Sequence, residues 1–126
     1  MTDASLKIKV QLYSGSEIAM GPGKADLLDA INEHGSISAA GRSMEMSYRR
    51  AWLLVDTMNR CWRKPIVETS PGNARGAGAH VTEFGKEILA QYRSLQNALI
   101  ETAHDHASQA LLGAVLTEPK LSQKNG

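Results

Sequence analysis

The stretch GSISAAGRSMEMSYRRAW, residues 35–52, holds two short helix-like pieces with a break between them. Gly35 is a natural helix stop, because glycine takes the left-handed conformation without a Cβ clash. Ser38 can cap a helix running through Ser43 by accepting an orphan backbone N–H. Ala39 and Ala40 are small enough to let another helix pack closely, and residues 44–46 supply the turn. Ser47 can cap a longer helix to about residue 62. Its apolar stripe, Ala51, Leu54, Val55, Met58 and Trp62, keeps helical spacing. Arg49 and Arg50 thus open that helix, turned away from Ala51, Val55 and Met58.

Upstream, Leu6, Ile8, Val10 and Leu12 alternate with polar residues, which predicts a strand over 6–13. SGSE (14–17) is a turn signal, and residues 18–20 can return as a second strand. GPG (21–23) breaks the chain before a helix over 24–33, with Leu27, Leu28 and Ile31 on one face. Downstream, Pro65 ends the long helix, because proline disfavours helical backbone in the residue before it. Residues 66–68 read as a strand, TSPGNARGAGA (69–79) as a glycine-rich loop, and 80–81 as a return strand. Thr82 caps a final helix over 82–116 with Glu83 against its dipole. Its stripe is Phe84, Ile88, Tyr92, Leu95, Leu99 and Ala103. The polar tail, 117–126, reads as disordered.

At 126 residues and 42% hydrophobic content the chain suits one globular domain, taken as 1–116. A net charge of +1 conceals an asymmetry. Residues 42–75 hold seven cations against three acids, so the rest of the chain carries −3. A basic middle in an acidic frame suggests a local anionic partner. One cysteine, Cys61, permits no internal disulfide. The N-terminus has no secretory run, and no stretch approaches the ~20 apolar residues of a membrane span. A soluble cytoplasmic protein is expected.

No acid, base and nucleophile constellation stands out, so no enzyme activity and no cofactor are expected. The glycine loop lacks the lysine and Ser/Thr of a phosphate-binding P-loop. His104 and His106 are two apart, which puts them on different helix faces, so no metal site is expected there. Cys61 reads as a small core residue rather than a nucleophile.

The predicted order is helix, short helix, turn, helix, strand, glycine loop, strand, helix. That is a mainly α winged helix-turn-helix with a little β structure. It carries an N-terminal strand or hairpin (1–23), the helix-turn-helix and wing (24–81), and a long C-terminal dimerisation helix. The major groove of DNA admits one α-helix, and the first turn of such a helix meets base edges. Arg49 and Arg50 are placed to bond guanine or clamp a phosphate. Tyr48 can either touch DNA or pack on Ala39 and Ala40, and Trp52, flanking the buried stripe, can join the core, the favoured place, or sit at the DNA surface. Ser36, Ser38 and Ser47 are caps first, with phosphate bonding as a second use. Asn73 and Arg75 would ride the wing, about 69–80, onto the backbone or minor groove.

At these residues a resemblance becomes specific. LLDAINEHGSISAAGRSMEMSYRRAWLLVDTMNR followed by GNARGAGAHVTEFGKEIL resembles the N-terminal DNA-binding domain of the molybdate-responsive ModE regulators, and more distantly the LysR-type helix-turn-helix. The resemblance covers about residues 24–100. It implies a sequence-specific regulator of transcription on double-stranded DNA, with residues 47–62 as recognition helix. Full-length members continue into molybdate-binding domains, which have no counterpart in these residues. Molybdate binding is therefore not expected of this chain alone. A homodimer is expected through Tyr92, Leu95, Leu99 and Ala103. The alternative is a winged-helix module that docks a protein partner without reading DNA. The clustering of cations on the long helix and wing favours DNA.

Overall fold

The computed structural model describes residues 4–70 and 78–123. They form two units, residues 9–94 and residues 1–8 with 95–126.

The first unit opens with a hairpin of β1 (Leu12–Ser14) and β2 (Glu17–Met20). Gly15, at φ 59°, makes its tight turn, a conformation that favours glycine. The strand expected over 6–13 is confined to the hairpin; among the described residues no strand pairs with the segment before Leu12. α1 (Pro22–His34) starts at the proline expected to break the chain. Proline suits a first helical position, where its missing N–H is no loss. Gly35 ends α1 at φ 75°, its N–H donating to Ile31 O.

α2 (Ile37–Ser43) is capped by Ser36, not Ser38 as expected. Ile37 is buried, which draws the helix start back two residues, and Ala39 N donates to Ser36 Oγ at 3.0 Å. Ser38 then lies within the first turn and accepts from Arg42 Nη1 at 2.9 Å. α3 (Tyr48–Cys61) follows a turn in which Glu45 holds φ 56°. Its cap is Ser47, accepting from Arg50 N at 3.1 Å. Gly41 permits the close α2–α3 approach: a Cβ there would stand 3.1 Å from Ala51 Cβ.

β3 (Val67–Ser70) and β4 (Gly78–Val81) pair antiparallel, Val67 opposite Val81. Asn59 locks this wing to α3: its Oδ1 accepts from Ile66 N and Val67 N, and its Nδ2 donates to Val67 O. α4 (Glu83–Ala103) begins at Thr82, whose Oγ1 accepts from Gly85 N at 2.9 Å. A side chain at Gly85 would strike the Ile66 carbonyl oxygen, so this glycine sets how closely α4 meets the wing. The core joins Met20, Leu27, Leu28, Ile31, Val55 and Met58. Burying such side chains stabilises the fold by about 1.5–3 kcal/mol each.

The single helix expected over 82–116 is two. α4 stops at Ala103, and Asp105 caps α5 (His106–Ala114) with a reciprocal box, Ser108 N donating to Asp105 Oδ1 at 2.9 Å. A capping residue offers the backbone a partner outside the helix, and so favours a break. The second unit holds the end of α4, α5 and residues 4–8; none of its described residues is buried. No helix among the described residues is long and apolar enough to cross a membrane.

Candidate nucleic-acid interface

α3 is fixed from three sides, and this decides what it can present. Ala51, Val55 and Met58 face the core. At its end, Trp62 Nε1 donates to Ala19 O at 3.0 Å, tying it to the hairpin. Asn59 ties it to the wing. What remains outside is a ridge on a helix held along its inner face and, through Asn59 and Trp62, at its C-terminal end.

With 3.6 residues per turn, adjacent side chains diverge by about 100°. Taking Ala51, Val55 and Met58 as the inner face, Arg49, Leu53 and Arg60 occupy the opposite, outermost line. Arg60 is engaged on its own helix, with Nε 2.9 Å from Asp56 Oδ2. That bond holds its guanidinium above the ordinary arginine range. Among the described residues, Arg49 and Arg50 have no side-chain ion pair or hydrogen bond. Lys64 lies over the Phe84 ring, 5.9 Å from its centroid, which spends part of the basic surplus inside the domain.

Tyr48 and Trp52 form an edge-on pair, ring centroids 6.2 Å apart. Tyr48 is 57% exposed and does not pack into the core. Trp52 is 37% exposed and so takes the outer of the two positions open to it, not the favoured core one: one turn on from Tyr48, it flanks the inner face rather than joining it. Both therefore share the outer surface with Arg49. Ser36 and Ser47 are committed as caps, and Ser38 to Arg42. Asn73 and Arg75 lie outside the described residues. On the described part of the wing, His80 Nε2 stands 3.6 Å from Glu68 Oε2.

Arg50 points along a different flank. It lines a groove of about 180 Å³ with Gln11, Ile18, Lys24, Met46 and Leu54. Lys24's ammonium is held below the ordinary lysine range, chiefly by partial burial. Cys61 and Glu17 oppose that shift, and Arg50 adds to it. Sequence reading passed over Lys24, because it sits two elements away from Arg50 along the chain. No group of histidine, cysteine and carboxylate residues that could hold a metal occurs among the described residues.

Of the residues expected to dimerise, Tyr92 is taken up by its own domain. It is 3% exposed, and its hydroxyl donates to Val10 O at 2.7 Å. Beside it Arg93 reaches Asp26 and Asp29 of α1 at 3.0 and 2.8 Å. Leu95 and Leu99 are exposed, and Ala103 is partly so.

A capped helix-turn-helix followed by a β-hairpin and a bracing helix defines a winged helix-turn-helix domain. No family model matches the chain. It is 35% identical over 99 residues to the molybdenum-pterin-binding protein MopA of Rhodobacter capsulatus, covering 79% of this chain and 37% of that protein. It is 29% identical over 110 residues to the transcriptional regulator ModE of Haemophilus influenzae, covering 87% and 40%. Over those residues the chain is ModE-like, as the sequence resemblance implied. It spans about two fifths of the length of these relatives. Among solved structures, FabT of Streptococcus pneumoniae in complex with DNA superposes at TM-score 0.47 and 16% identity, over 73% of this chain and 67% of that one.

Proposed function

We propose that this domain is a sequence-specific DNA-binding regulator of transcription, with α3 in the major groove and the wing on the backbone or minor groove. The observation that carries the reading is Arg49, without an ion pair among the described residues, on the outermost line of a helix fixed from three sides. An arginine so placed can bond guanine bidentately, while Tyr48 and Trp52 supply apolar surface to the groove. Similarity to a protein named as a transcriptional regulator supports the same reading.

The domain works as a homodimer, paired through the apolar residues of the second unit. Leu95, Leu99 and Ile100 are exposed there on α4. Two recognition helices related by a twofold would favour a palindromic site with half-sites about one DNA turn (~34 Å), or a multiple, apart.

The test is selection of bound duplexes from a random pool, followed by mobility-shift titration at low and raised salt. A common motif with two inverted halves is expected. A chain that retains all sequences equally, or none, would overturn the reading. Arg75→Ala is expected to flatten the salt dependence by about one unit if the wing meets a phosphate.

A further inference from the structure

The adjacent arginines of α3 do not share a task. Arg49 projects from the outermost line of the helix. Arg50, turned by about 100° from it, enters the groove shared with Lys24 near the start of α1. Among the described residues neither Arg50 nor Lys24 forms an ion pair with a carboxylate. Lys24 is half-buried in that groove and Arg50 is exposed along it, and two like charges lining one groove disfavour each other. An anion between them reverses that sign and satisfies both sets of donors. The groove adjoins the first turn of α3, so the anion within reach of a docked duplex is a backbone phosphate.

We propose that Lys24 and Arg50 together clamp one DNA phosphate, fixing the register of α3, and leave base reading to Arg49. This rests on the reading of α3 as the DNA-facing helix. Phosphate contacts position a protein without carrying sequence information, whereas base-edge contacts specify. The two roles are therefore separable by measurement.

The experiment is equilibrium binding of labelled duplexes, the selected site and its single-base variants, across a salt series. It compares the parent with Lys24→Gln, Arg50→Ala, their double variant and Arg49→Ala. Arg50 is exposed and Lys24 half-buried, and glutamine keeps most of the lysine stem; thermal melting checks that each variant folds. Lys24→Gln and Arg50→Ala are expected to weaken every duplex by one common factor. The double variant is expected to flatten the log–log salt slope by about one. Arg49→Ala is expected instead to lose discrimination at one base pair. An Arg50→Ala protein that loses discrimination at a base, or a Lys24→Gln protein that binds every duplex like the parent, overturns the clamp and leaves the proposed function standing. A parent that binds no duplex removes both. Inorganic phosphate should compete no better than chloride at equal ionic strength. Stronger competition that disappears in Lys24→Gln would assign the groove to a free anion and overturn the proposal.

Discussion

Residues 9–94 and the unit formed by residues 1–8 with 95–126 use their apolar residues in opposite ways. In the first, Met20, Leu27, Leu28, Ile31, Met58 and Ile66 are fully buried, and the outer surface of α3 carries arginine and aromatic groups. In the second, no described residue is buried, while Leu111 is 67% exposed and Val115 and Leu116 are more than half exposed. A cleft of about 300 Å³ there is lined by Leu6, Leu111, Leu112 and Val115. The first unit has a buried core and leaves polar and aromatic groups on its outer surface. The second has apolar surface of the kind that soluble monomers seldom expose in one patch. On the function proposed above, the contrast would separate a face for DNA from a face for a second copy.

The most drastic way to break the contrast is all-or-none. A Leu95→Glu, Leu99→Glu double variant is expected to halve the mass seen by light scattering while the first unit stays folded. A parent that is monomeric at high concentration would remove the second copy from the picture, and so would a variant that stays dimeric. Next in size, Met58→Ala should cost about 2–5 kcal/mol, as a deleted core side chain leaves a cavity that closes only partly. Denaturant midpoints measure it. Leu111→Ala in the second unit should shift a monomer's stability by no more than about 0.5 kcal/mol, as exposed positions do. Equal losses at the two positions would dissolve the contrast.

Arg49→Ala should cost about 1–3 kcal/mol of binding to the selected site and relax one base position. Competition titrations against single-base variants read both effects. Tyr92→Phe is expected to lower stability by about 1 kcal/mol through the lost bond to Val10 O. It should leave the mass unchanged, because Tyr92 belongs to the first unit's core. A mass change in this variant would return Tyr92 to the dimer face.

Local chemistry made much of this legible. The stops and caps at Gly35, Ser47 and Thr82 act through their own backbone neighbours, so each could be read from a few residues. The inner stripe of α3 followed from periodicity alone. The misreadings came where a neighbour in space outweighed the local pattern. Ser38 is a competent cap, but burial of Ile37 moved the helix start to Ser36. Tyr92 continued an apolar stripe without a kink, yet the segment at Val10 claimed its hydroxyl.

The sequence by itself determined that the chain folds as helix, turn, helix and wing, and that its cations gather in the middle, because period and capping act over a few residues. It also placed Arg49 and Arg50 in the first turn of α3. Only the tertiary structure decided what lies opposite each of them. Lys24 meets Arg50 across a groove built from β2, α1 and α3, and Asn59 anchors the wing to α3 across the intervening proline. Such contacts join residues distant along the chain, and their partners are set by how the core packs, which no local spacing encodes.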